Sequence, residues 1–395
     1  MAKEEKKAPK LRFNGYTNDW EHVKPKKYLK ISKVPGSNGL IAKKLTVKLW
    51  GKGVVEKDTT FNGSENTKYF TRKSGQLMYG KLDFLHAAFG IVPQNLNNYE
   101  STADSPAFDI NDVGDRIFLI NYFLRPEFYL KNGEKANGSR KAKRIHEETF
   151  LNMPMQAPIK SEQEKIAKTL NSLNNTIQLH ERKYEELTII KQALLQKLFP
   201  KKDEIKPEVR YENFSDAWEQ RKLGGFLQEY SIKSKIENEY PLLSSTNKGM
   251  EYREGRTASE SNIGYKILKI NDLVLSPQNL WLGNININTL VTGIVSPSYK
   301  TLKINNLSLY FLLPQLKTKR MLEKYKQVSV QGASVVRRNL DFTEFMNISL
   351  VIPTNKEQEQ IGEFFKQLDS LIALHQCKLE KLKQLKKFLL QNMFI

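Results

Sequence analysis

Between Ile166 and Leu198 the chain places apolar or seam-type residues at steps that alternate four and three: Ile166, Leu170, Leu173, Ile177, His180, Tyr184, Leu187, Lys191, Leu194 and Leu198. This is the a/d spacing of a left-handed coiled coil, and a helix of that length would run about 49 Å at 1.5 Å per residue. The same steps return at Ile361, Phe365, Leu368, Ile372, His375, Leu379, Leu382, Lys386, Leu389 and Met393, with His and Lys in the same two slots. Pro158 and Pro353 stand just upstream, where proline sets a helix entry, and Pro200 stops the first copy. A stripe this narrow needs a partner. The nearest complementary one is the other copy, which predicts two long antiparallel helices related by an approximate two-fold, rather than helices that each pack only on their own domain. His180 and His375 read as register-setting polar residues in an apolar seam, not as metal ligands.

The helices belong to a larger repeat. Residues 161–200 and 356–395 align without gaps at an offset of 195 with 16 identities in 40 positions, too regular for chance. Each copy opens on an EQ phrase, "SEQEKIAKTL" and "KEQEQIGEFF". A second match precedes it, "PKLRFNGYTNDWE" from Pro9 against "PEVRYENFSDAWE" from Pro207, and a third, "FLNMPMQAPIKSEQ" against "FMNISLVIPTNKEQ", leads into each helix. Between these landmarks, residues 30 to 135 and 228 to 330 align poorly. Both stretches carry β-branched and aromatic runs bounded by Gly, Asn and Pro, such as "KLTVKLW", "GQLMYGKL", "GYKILKINDLVLS" and "TLVTGIV". The fold class expected is therefore α+β: two domains with mixed, β-rich cores, separated by two long antiparallel coiled-coil helices. The boundaries are 1–158 for the first domain, 159–200 for the first helix, 201–353 for a linker and the second domain, and 354–395 for the second helix. A shared frame around two different inserts implies one task performed on two different targets.

Charge narrows the task. The 395 residues hold 63 Lys and Arg against 43 Asp and Glu, a formal net charge of +20, which points to a polyanionic partner such as nucleic acid. Cys377 is the only cysteine, which excludes an intramolecular disulfide and a cysteine-rich zinc site. "MAKEEKKAPK" lacks an apolar h-region and no run approaches 18 apolar residues, so a cytoplasmic protein is expected.

Enzyme motifs are incomplete. "HEETF" at His146–Phe150 has Phe where a zincin needs its second His. "GKGVVEKDTT" lacks phosphate-loop spacing, and there is no G-x-G-x-x-G after a strand, no G-x-S-x-G elbow and no N-P-P-Y or D-P-P-Y turn. A non-catalytic binder is expected. Its phosphate contacts are placed in two glycine-started basic runs, "GSRKAKR" with Arg140, Lys141, Lys143 and Arg144, and "GASVVRRN" with Arg337 and Arg338. Base reading calls for side chains on variable loops. The candidates follow expected strands: Tyr79, Lys81 and Asp83 in "MYGKLDF", and Gln278, Asn279, Trp281 and Asn284 in "SPQNLWLGN".

Two divergent inserts, each followed by a "P…EQ…I…L…LL.Q.F" helix, together with "GIVSPSYKTLKI" at Gly293–Ile304, resemble the specificity subunit of a type I restriction–modification system over essentially residues 9 to 395. "YGKLDFLHAAFGIVP" is similar to another variety of target recognition domain in that family. The resemblance implies two target recognition domains, each reading one half of a bipartite asymmetric double-stranded DNA site. The helices would act as spacer and as docking surface for two methyltransferase subunits. No cofactor is implied in this chain: S-adenosylmethionine would lie in the methyltransferase subunits, and ATP and magnesium in two restriction/translocase subunits. One departure is that the first half has "SPAFDI" at Ser105–Ile110 where the second has G-x-S-P-x-Y, which suggests that the two domains differ more than the helices do. Two other readings share the pattern, a specificity subunit whose partner fuses methylation and cleavage, and a coiled-coil interaction protein for which DNA is incidental.

Overall fold

The repeated phrases are explained by what they bond to. In the computed structural model, which describes residues 8–58, 64–134, 144–201, 204–253, 261–332 and 337–395, Arg12 of the first opening motif donates from Nε and Nη2 to the two carboxylate oxygens of Glu162, at 2.8 Å each. Arg210 of the second motif makes the identical fork with Glu357. Both glutamates are 0% exposed. Planar guanidinium against carboxylate matches two donors to two acceptors, so the pair is directional as well as strong. Each neighbouring glutamine completes the anchor. Gln163 donates to the Pro158 carbonyl and accepts from the Asp115 N–H, and Gln358 does the same with Pro353 and Ser308.

The chain divides into two units, Met1–His180 with Lys378–Ile395, and Glu181–Cys377. Each unit thus holds one domain, the start of its own long helix and the end of the other. The helices run Lys160–Lys197 and Asn355–Asn392. In the first unit Ile166, Ala167 and Leu170 pack in one core with Leu389, Met393 and Phe394. In the second, Ile361 and Phe365 pack with Leu194, Leu198 and Phe199. Start meets end in both, so the helices are antiparallel. Every expected seam position is buried or half-buried, and Lys191, a polar seam position, pairs with Asp369.

An aromatic triad seals each helix end. Phe394 meets Trp20 and Phe118 at centroid distances of 6.3 and 5.3 Å, and Trp20 meets Phe118 at 5.8 Å. Phe199, Trp218 and Phe311 form the equivalent set, at 6.4, 5.5 and 5.8 Å. The Trp of each opening motif is therefore a packing residue for the far end of the opposite helix.

Each domain is built on a four-stranded antiparallel sheet. In the first unit the order is Leu29–Ser32, Ala107–Ile110, Leu77–Tyr79, Phe89–Ile91. In the second it is Leu227–Tyr230, Lys300–Ile304, Leu273–Leu275, Ile285–Ile287. Ile110 lies opposite Leu29, and Ile304 opposite Leu227. "SPAFDI" thus runs into the same strand position as "SPSYKTLKI", and in their sheets the two domains are more alike than the missing motif suggested. Successive strand residues point to opposite faces. Leu77 and Tyr79 enter the large core while Met78 enters a satellite cluster with Leu45, Val54 and Ala88. Leu273 and Leu275 likewise separate from Val274. The frame is closed by a short antiparallel pair, Glu21–Val23 with Met155–Ala157, repeated as Glu219–Lys222 with Ser349–Ile352. Among the described residues no helix is long and apolar enough to cross a membrane.

Removing one partner of a buried ion pair strands the other. Glu162→Ala should therefore destabilise the first unit by about 3–5 kcal/mol, whereas Arg12→Leu combined with Glu162→Leu should recover most of the loss. Glu357→Ala should do the same to the second unit. Denaturant unfolding of the three variants, followed by fluorescence of Trp20 or Trp218, checks this.

Candidate nucleic-acid interface

In each unit three segments converge beyond one end of the sheet. The first is a loop that leaves the inner strand, residues 80–88 and 276–284. Both loops contain a short 3-10 turn, Phe84–His86 or Leu280–Leu282, and close on a left-handed residue, Ala87 (φ 50°) or Gly283 (φ 87°). The same two backbone bonds brace each loop: Gly80 N–H to the Ala88 carbonyl and Ala88 N–H to that of Asp83, matched by Ser276 with Asn284 and Asn284 with Asn279. The second segment is the end of the basic run. The Ile145 N–H donates to the Lys81 carbonyl and the Arg338 N–H to the Gln278 carbonyl, at 3.1 Å each. The third is the tip of a hairpin, formed by Leu45–Val47 with Val54–Glu56 and by Leu243–Ser245 with Met250–Tyr252.

The first tip is held by Trp50 N–H to His86 O at 2.7 Å and Gly51 N–H to Ala87 O at 2.9 Å. The second tip is held through side chains. Ser245 donates to Asn284 Oδ1 at 2.6 Å, Asn286 donates to Ser245 Oγ and to the Thr246 carbonyl, and Lys317 Nζ donates to Asn286 Oδ1 at 2.6 Å. Burial pushes Lys317 down to about 8, with Lys191 adding to the shift.

The expected readers separate into three groups. Tyr79 cannot reach a base: it is 0% exposed, donates its hydroxyl to the Ile145 carbonyl, and sits among Phe84, Phe89, Phe108 and Phe150. Lys81 is also corrected. Its side chain is 8% exposed and its ammonium lies 2.9 Å from Glu147. Burial pushes the Glu147 carboxyl up, but Lys81, together with the Glu147 N–H and Lys33, more than offsets this and holds it below the usual carboxylate range. Arg338 anchors rather than contacts, donating to Ser329 Oγ, the Ser329 carbonyl and the Lys326 carbonyl. Asn284 is engaged with Ser245, and Trp281 packs against the second unit's core. Asn279 is half-buried at the start of the 3-10 turn.

Gln278, Arg144 and Arg337 are exposed, with Asp104 3.6 Å from Arg144. Arg140, Lys141 and Lys143 lie outside the described residues. The sequence reading missed the hairpin tips, which add exposed Lys48, Trp50 and Lys52 in the first unit and Asn247 and Lys248 in the second. The Gly-x-Gly after Trp50 was the available signal, since such glycines end a strand and start a tip.

Residues 107–188 and 216–384 match the type I restriction modification DNA specificity domain. The chain belongs to that family. Among its relatives, the type I restriction enzyme MjaVIII specificity subunit of Methanocaldococcus jannaschii is 25% identical over 303 residues, which span 70% of this chain and 69% of that protein. The fold is also similar to the crystal structure of the type I restriction–modification S subunit from M. genitalium, with a TM-score of 0.60 at 14% identity over 98% of this chain and 99% of that one. As a specificity subunit the chain serves DNA sequence recognition within a restriction–modification complex and is not itself the catalyst.

Arg337→Ala should weaken DNA binding about equally across sequences and lower the slope of log affinity against log salt by about 1, because an exposed guanidinium of this kind neutralises a phosphate. Arg338→Ala should leave that slope unchanged and instead cost about 1–3 kcal/mol of stability, since its three acceptors lose a charged donor. Salt titrations and melting curves on the two variants separate the roles.

Proposed function

We propose that each unit reads one half of a bipartite, asymmetric DNA site, and that the two long helices set the gap between the halves. The observation that carries this reading is the duplicated frame: equivalent loop, basic run and hairpin tip present different exposed side chains, Lys48, Trp50, Lys52 and Arg144 in one unit against Asn247, Lys248, Gln278 and Arg337 in the other. Phosphate contacts fix register while loop side chains discriminate bases, so two unlike surfaces on like scaffolds read two unlike half-sites.

The helices also offer matched apolar patches. Leu179 and Leu385 are exposed in the first unit, and Leu374 and Ile190, their counterparts at the repeat offset, are exposed in the second. Two like patches suit two copies of one partner, the methyltransferase subunit. That partner would carry S-adenosylmethionine and the adenine-N6 chemistry. Two restriction/translocase subunits would add ATP- and magnesium-dependent cleavage, in the cytoplasm where the DNA lies.

Exchanging residues 213–351 for the same region of a relative should change one half of the methylated motif and leave the other intact. Motif sequencing of cells that carry the hybrid with its methyltransferase partner checks this. A motif changed in both halves would contradict independent reading.

A further inference from the structure

We propose that Trp50 is a wedge that enters the base stack of the half-site read by the first unit, and that the second half-site is read without one. The inference rests on the DNA-recognition reading above and goes beyond it in naming a residue and a mode of contact.

The position of Trp50 runs against the chemistry of its side chain. Indoles carry large apolar area and are normally well covered. Trp20 and Trp218 are buried, whereas Trp50 is 60% exposed at a hairpin tip. Its backbone lies at φ 59°, a region that a bulky residue enters only when its surroundings impose it. Those surroundings are specific. The Trp50 and Gly51 N–H groups are bonded to the loop carbonyls of His86 and Ala87, and the Lys48 N–H is bonded to the Gly53 carbonyl at 2.8 Å. Gly51 has φ 66° and lies against the Leu124 side chain so closely that a Cβ would stand 2.9 Å from it. The tip therefore has little freedom to fold the indole back onto the domain. The His86 ring meets the indole edge to face at 5.5 Å and sets its orientation.

The charges around the tip favour a nucleic acid over an apolar protein pocket. Lys48 and Lys52 are exposed on either side of Trp50, and the tip itself contains no carboxylate. The nearby acid is Asp83, 3.8 Å from His86 Nδ1. A planar ring between two cations fits a base step between two phosphates: stacking holds the ring and is tolerant of base identity, and the lysines reach the backbone. Inserted apolar side chains unstack and kink the duplex most readily at pyrimidine–purine steps. The wedge would thus read deformability rather than hydrogen-bond pattern. In the second unit the tip is shorter, four residues between the paired strands instead of six, and carries Thr246, Asn247, Lys248 and Gly249 with no aromatic.

The test uses the full chain assembled with its methyltransferase partner, on duplexes bearing the methylated motif with 2-aminopurine placed singly at each step of both half-sites. The wild-type complex should raise 2-aminopurine fluorescence at one step of one half-site, as unstacking does. Trp50→Ala should abolish that signal, weaken cognate binding about tenfold or more and leave the salt slope unchanged. Trp50→Phe, which keeps a ring, should restore most of both. Because the signal is read first on the wild type, the test does not depend on the Ala variant folding. No unstacking by a wild-type complex that binds its site, or binding by Trp50→Ala within twofold of wild type, would overturn the wedge alone. So would loss of methyltransferase assembly by Trp50→Ala with DNA binding intact. A wild-type complex with no sequence preference would overturn the recognition reading and the wedge with it.

Discussion

The fork between a buried glutamate and an arginine some 150 residues away is the contact on which the rest of the structure depends. Arg12 with Glu162, and Arg210 with Glu357, each join the opening motif of a domain to the first turn of its long helix. A charge with no exposed surface is tolerated only when its partner is geometrically exact, and an error of register would leave it stranded. The pair therefore selects one docking of helix on domain. The adjacent glutamines then tie the same turn to the preceding proline carbonyl and to the start of an earlier helix of the same domain, Arg116–Phe123 or Leu309–Leu316. With the beginning of each helix fixed, the direction of the remaining turns is fixed as well.

Closure comes from the opposite end. Each unit's core is completed by a phenylalanine that arrives from the other long helix, Phe394 beside Trp20 or Phe199 beside Trp218. Neither domain is finished by contiguous sequence alone. Each unit's core therefore draws on three separate stretches of sequence: the opening motif, the start of one long helix and the end of the other.

Much of this was legible in the sequence, and what was not has physical causes. Heptad spacing is a local signal, and every seam position it marked is covered. Repeated phrases showed that Arg, Trp, Glu and Gln mattered, but which atom met which could not be read, since the partners are about 150 residues apart. Tyr79 is core because the end of an inner strand looks like the start of a loop in sequence, and Lys81, though on the loop, is buried by an ion pair with Glu147, 66 residues away, that no local pattern marks. Arg338 opens the three-residue strand Arg338–Leu340 and bonds to Ser329 and Lys326, whereas Arg337 stands just before that strand and is exposed; a boundary between adjacent arginines leaves no periodic signal in so short a strand. Trp50 was read as the end of a strand, when its left-handed backbone and the glycines after it make it a tip.

The central claim is that one duplicated frame presents two different DNA-reading surfaces. The most direct measurement is single-molecule methylome sequencing of cells expressing this chain with its methyltransferase partner and no other modification system. The account predicts one asymmetric motif in two defined parts, separated by a gap of constant length and undefined sequence. A single contiguous motif, or two identical halves, would contradict it.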